Sequence, residues 1–177
     1  MNVAIWLTLA VCIAASFYDV RARRIPNFLT GALAAGALVV HAFNGPSAVL
    51  LSVAIMAALT AGGTLVYARG GIGGGDIKLA IAASGMLSYP LCVSFLLYSA
   101  IGGGLLAILY LCFRPEARPT LSRAVLMAAG GAPGVSAKRA TLPYALAFAF
   151  GATAVALAQS LLPFLRINAR IHDAPHS

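Results

Sequence analysis

The sequence predicts an all-α, polytopic membrane protein with about six transmembrane helices, the fourth of them short, and three observations carry that prediction. Of the 177 residues 61% are hydrophobic and only 9% are charged, against about 25% charged in an ordinary soluble domain; the mean hydropathy is +0.93. Apolar runs long enough to enter a bilayer recur along the chain, separated by short turns rich in Pro, Gly, Asn and Ser. Ten of the twelve basic residues fall in alternate loops, the asymmetry that orients a chain in a membrane. A net charge of +8 would suggest nucleic acid in a soluble protein. Here the basic residues lie between apolar runs with no interleaved aromatics, so membrane lipid is the expected partner and nucleic acid is not. Cys12, Cys92 and Cys112 lie inside apolar segments with no Cys-x-x-Cys spacing. That excludes a disulfide framework and a zinc knuckle, and no metal or cofactor is expected.

The elements follow in order. Asn2 to Phe17 is a nearly unbroken apolar run with no Lys or Arg before it, so it reads as a retained first helix and not as a signal peptide. It is expected to end at Tyr18-Asp19. Arg21, Arg23 and Arg24 follow, and Ile25-Pro26-Asn27 supplies a break and a cap for helix two, because Pro disfavours helix at the residue before it. Helix two is placed at Phe28 to Phe43, with Gly31, Ala35 and Gly36 as a small-residue packing face. Helix three runs from Ala48 to Tyr67. Helix four runs from Asp76 to Ser88, too short for about 30 Å of hydrocarbon without tilt or thinning. After Tyr89-Pro90, helix five spans Leu91 to Phe113, with Gly102 to Gly104 as a packing face or kink. Residues 114–140 form the one extended polar loop, in which Leu121 to Ala129 suits a short interfacial helix. Helix six covers Thr141 to Leu165. Residues 1–165 thus form one membrane-embedded domain, and 166–177 a polar tail expected to be disordered, with His172 and His176 solvent-exposed and not metal ligands.

The basic loops follow helices one, three and five and are therefore expected on the cytoplasmic side. Asp19 and Asp76 then share that side, one leaving helix one and the other entering helix four. The chain has only four acids. An ionised Asp at mid-membrane costs roughly 2.5–3.5 kcal/mol on insertion scales, so acids drift to helix ends even without a task. Against coincidence stands the backbone around Asp76: Gly70-Gly71-Ile72-Gly73-Gly74-Gly75 precedes it, and glycine permits tight, crowded approach. The stretch lacks the Gly-Lys-Ser/Thr end of a phosphate loop, and the dinucleotide fingerprint would need Gly where Asp76 stands. The plain alternative is a flexible turn whose Asp caps a helix.

Two carboxylates that meet can divide a hydrolysis between them, one ionised to take a proton from water and the other protonated to activate a carbonyl. At about 4 Å and an effective dielectric of about 20 they repel by roughly 4 kcal/mol, so the pair holds one proton over a wide pH range. Asp19 and Asp76 are the candidate catalytic residues, and Gly73, Gly74 and Gly75 the residues that position Asp76. Asn27 is expected as a helix cap. Lys78 lies about 200° around the helix from Asp76, and is expected to point away as a cytoplasmic anchor. Both are the polar neighbours expected around the pair. The competing class is a transporter subunit or assembly component using the same carboxylates as a proton relay, although no inverted repeat is evident.

Asp19 followed by Ile25-Pro26-Asn27, and then Gly73-Gly74-Gly75-Asp76-Ile77-Lys78 heading an apolar helix, resembles the type IV prepilin peptidases, aspartyl proteases of the GxGD class. The resemblance covers Ser16 to Phe113. It implies a six-helix enzyme of the inner membrane whose motif aspartates, here Asp19 and Asp76, cleave the leader of pilin-like precursors at the cytoplasmic face. The chain lacks the paired Cys-x-x-Cys motifs of the larger bifunctional members, so no methyltransferase activity is expected. Its size is similar to the short peptidases of Flp (tight adherence) pilus systems. Presenilin-like proteins share the Tyr-Asp and Gly-x-Gly-Asp pairing but are longer, and their Pro-Ala-Leu motif is missing here.

Overall fold

A computed structural model describes residues 3–22, 24–68, 73–113 and 145–172. These form six helices and no strand: α1 (Val3–Ala22), α2 (Asn27–Ala42), α3 (Pro46–Ala68), α4 (Gly74–Leu87), α5 (Leu91–Phe113) and α6 (Ala145–His172). The glycines Gly70 and Gly71, the polar loop with its expected interfacial helix at Leu121 to Ala129, and the last five residues lie outside the described residues. Three helices are long and apolar enough to cross a membrane, namely α1, α3 and the Leu91–Leu109 part of α5, while Asn27–Ala42 and Ala145–Leu161 are shorter apolar helices. With 14 residues, α4 rises only about 21 Å and is too short to span.

The helix boundaries differ from expectation where the chain contains no breaker. α1 continues past Phe17 to Ala22, so Asp19 stands inside its last turn and not beyond its end. Arg21 belongs to that turn, where a cation suits the helix dipole, and its guanidinium lies 5.7 Å from the centroid of the Phe17 ring. α2 starts at Asn27 with Pro26 as its N-cap, φ −62° and ψ 132°, and no side-chain cap bond. The Asn27 cap is therefore not formed: Asn27 already has helical geometry, one residue too late to cap. α6 continues through Arg166 to His172.

The short helix is the hub. α4 touches every other described helix, and α6 packs against α1 and α5. Leu79 and the run Ala82 to Leu87 are buried, whereas α3 buries only Ser52. Large apolar side chains such as Phe28, Leu50, Leu97 and Ile101 face outward, as they do where the solvent is lipid and not water. Glycine supplies the close approaches. A Cβ on Gly36 would meet Met86, one on Gly85 would meet Met56, and Gly102 and Gly151 lie against Phe150 and Ser99 where α5 crosses α6. The packing face of α2 is Thr30, Leu33, Ala37 and His41. Of the expected small-residue face, Gly31 and Ala35 look outward and only Gly36 packs.

At the C-terminal end of α4, other helices supply donors to carbonyls that the helix cannot satisfy itself. His41 Nε2 lies 3.1 Å from the Gly85 carbonyl oxygen and 3.2 Å from that of Met86. Ser52 Oγ donates to the Gly85 oxygen at 2.9 Å. α2 and α3 thereby tie down the buried end of α4, and its other end carries Asp76.

Candidate active site

Asp76 is the third residue of α4, set there by Gly73, which caps the helix in extended geometry, φ −68° and ψ 141°, without a side-chain bond. The carboxylate folds back over this glycine, so that a Cβ on Gly73 would stand 2.8 Å from Asp76 Oδ2. Gly74 meets the Tyr67 ring at the end of α3, and Gly75 meets Ile25 between α1 and α2, each at 3.4 Å from where a Cβ would lie. Just after Asp76, Ile77 packs tightly on Gly63 of α3. The first turn of α4 is thus held by α3 and by the link into α2.

Asp19 stands in the last turn of α1, a helix that packs against α4. Its charge acts on Asp76: burial first, and then the negative Asp19, push the Asp76 carboxyl from 3.8 up to about 7. Asp76 sits in the polar first turn of a helix too short to span, outside the three spanning segments. Its Oδ1 is buried with no hydrogen-bond partner among the described residues. Asp19 is better supplied, because the backbone N–H of Ala145 donates to its Oδ2 at 3.4 Å. The start of α4 acts in the opposite sense on Asp76, since the helix dipole favours negative charge there. Such an effect is worth about 0.3–1 kcal/mol at an exposed site. Leaving a buried charged oxygen without a donor costs more than about 1–3 kcal/mol, so the unpartnered oxygen outweighs the dipole.

The other expected neighbours separate. Lys78 Nζ donates to Asn27 Oδ1 at 3.1 Å, so Lys78 turns to α2 instead of standing free, and Asn27 is its acceptor instead of a cap. This exposed bond joins the starts of α2 and α4 beside the pair. Among the described residues no three His, Cys, Asp or Glu side chains gather as a metal site would require. A groove of about 400 Å³ between α5 and α6, lined by Leu91, Ser94, Tyr98, Val155 and Gln159 among others, contains neither aspartate.

The model of the type IV leader peptidase family matches residues 6–108, a stretch that includes Asp19, Asp76 and the glycines before it. The chain belongs to this family. Membership makes it, in general terms, a peptidase acting on the leaders of pilin-like precursors and, with its apolar helices, an integral membrane protein. No curated protein and no solved structure matches the chain significantly.

Several residues that shape the leader peptidase's site were missed in the sequence. Tyr67 was legible only as the end of helix three and Ile25 only as part of the Ile25-Pro26-Asn27 break, and neither pointed to a contact with the glycine turn. Ser16 offered one signal, because it precedes Asp19 by three residues and so shares its face of α1. Its buried hydroxyl lies 2.8 Å from the carbonyl oxygens of both Cys12 and Ala145. Ala145, from the far end of the chain, offered no signal.

Proposed function

We propose that this protein removes the leader peptide of Flp-like type IV prepilins at the cytoplasmic face of the inner membrane, with Asp19 and Asp76 acting together on one water. What supports the reading is that Asp19 lies near enough for its charge to help raise the Asp76 carboxyl, that α1 packs against α4, and that both residues fall inside the segment matched by the family. Such a pair shares one proton. Its ionised member takes a proton from water while its protonated member hydrogen-bonds the scissile carbonyl, so the hydroxide that forms attacks a polarised carbon. The amine then leaves with the proton taken from water, and the pair returns to its starting charge. Gly73 gives the Asp76 carboxylate its room, and Gly74 and Gly75 let Tyr67 and Ile25 close against the turn. The excess of Lys and Arg in the loops at this end supports a cytoplasmic orientation. Without Cys-x-x-Cys motifs, the chain cleaves and does not methylate.

The experiment is direct. Membranes containing the protein are mixed with an Flp-like precursor, and shortening is followed by gel and by mass. Asp19→Ala and Asp76→Ala should each abolish cleavage at unchanged expression. Cleavage that survives either change rejects the dyad, and a precursor left whole by the wild type rejects the substrate.

A further inference from the structure

The two carboxylates are not equivalent, and the difference lies in who donates to them. Asp19 Oδ2 receives the Ala145 N–H, and Asp76 Oδ1 is buried with no donor among the described residues. A backbone N–H can only donate, so it favours an ionised partner, whereas a buried oxygen without a donor favours the neutral acid. Asp19 stands in the last turn of α1, where its own helix presents carbonyls and can offer it no donor. Ala145 supplies from α6 what α1 lacks. That residue is held at both its polar groups: its N–H by Asp19, and its carbonyl oxygen by the buried Ser16 hydroxyl, 2.8 Å away and one turn before Asp19 on the same helix. The Ser16 hydroxyl also lies 2.8 Å from the Cys12 carbonyl oxygen within α1, and its contact with Ala145 together with that of Asp19 ties α6 to α1 at this level.

We propose that Asp19 is the ionised, water-activating member of the pair and Asp76 the proton-holding member, an asymmetry kept by a clamp in which Ser16 and Asp19 grip the backbone of Ala145. This rests on the peptidase reading and assigns its proton traffic. Asp19 takes a proton from water as the water oxygen bonds to the carbonyl carbon, and Asp76 gives its proton to the carbonyl oxygen. On collapse, that oxygen returns the proton to Asp76, the C–N bond breaks, and Asp19 passes its proton to the amine. Ser16 touches no reacting atom and acts as a positioning residue. Among the described residues, α1 to α4 and their links also carry Cys12, Tyr18, Arg21, Arg24, His41, Tyr67 and Lys78 as charged or titratable side chains, of which Arg21 lies over Phe17, His41 is bonded at the far end of α4 and Lys78 is bonded to Asn27.

The proton can be seen directly, because a chain with only four acids has an uncrowded carboxyl region in the infrared. Purified full-length protein in micelles at about pH 5.5, above the ordinary Asp and Glu range, should show the C=O stretch of a protonated carboxyl. Asp19→Asn should retain that band and Asp76→Asn should lose it. A band absent from the wild type, or removed by Asp19→Asn, overturns the assignment. The spectrum does not depend on turnover. A correct spectrum from a protein that cleaves nothing therefore rejects the peptidase reading alone, and an active enzyme with the proton on Asp19 rejects the assignment alone. For the clamp, Ser16→Ala should lower kcat about tenfold at unchanged KM, the scale of a modest misplacement, and Ser16→Thr, which restores the hydroxyl, should recover it. An unchanged kcat in Ser16→Ala, or a loss that Thr does not recover, overturns the role of Ser16.

Discussion

Replacing Gly73 by Ala separates backbone freedom from room at the site. Gly73 sits at φ −68° and ψ 141°, a conformation any residue adopts, so alanine causes no backbone strain there. What alanine lacks is space, because its Cβ would stand 2.8 Å from Asp76 Oδ2, inside the distance at which a carbon and an oxygen can touch without repulsion. The carboxylate must turn away by roughly half an ångström or more, and misplacement on that scale costs on the order of 10- to 100-fold in rate, or about 1.4–2.7 kcal/mol of transition-state stabilisation. Gly74 and Gly75 differ, since a Cβ at either meets its neighbour at 3.4 Å, an ordinary contact. Cleavage of an Flp-like precursor by equal amounts of inserted enzyme should therefore fall in kcat for Gly73→Ala, with Gly74→Ala and Gly75→Ala within about threefold of wild type on the same scale. If Gly73→Ala works normally, or Gly75→Ala is damaged as severely, the steric account of the turn is wrong.

Three further outcomes are expected. Because the Asp76 carboxyl is raised to about 7, chiefly by burial and then by Asp19, the pair loses its shared proton as pH rises through that value; cleavage should fall about tenfold per pH unit above it. The stability contributed by the protonated Asp76 follows the same sign, complete below 3.8 and lost as pH rises through about 7, which thermal unfolding in micelles would follow. Gly151→Ala places a Cβ 2.9 Å from the Phe95 carbonyl oxygen, a backbone atom that cannot rotate aside, so α5 and α6 must part and the yield of folded protein should drop sharply by size-exclusion chromatography. Lys78→Ala and Asn27→Ala should each cost little, and a double-mutant cycle on unfolding should give a coupling under about 1 kcal/mol, because the bond is exposed.

The aspartates and their glycine turn were readable in the sequence because acids are rare in this chain and glycines before one of them are conspicuous. The shortness of helix four was readable too, because the glycine run ending the preceding segment and Pro90 lie on either side of it. The packing faces were not. Helices such as α3 and α5 are apolar on every side, so periodicity does not mark the face that meets protein, and on α2 the outward Gly31 and Ala35 resembled a packing face as well as the buried Leu33 and Ala37 did. Asn27 is similar: a polar residue after Pro reads locally as a cap, and only the position of Lys78 across the gap to α4 gives it another task.

By itself, then, the order of residues determined the solvent and the number and rough length of the helices, and singled out two acids as candidates for chemistry, since each is a matter of local composition. Only the folded molecule decided what surrounds each carboxylate. The Ala145 amide at Asp19, and an Asp76 oxygen with no partner among the described residues, arise where helices distant in the chain come together, and contacts between distant segments leave no local pattern in a chain whose spans are apolar all round.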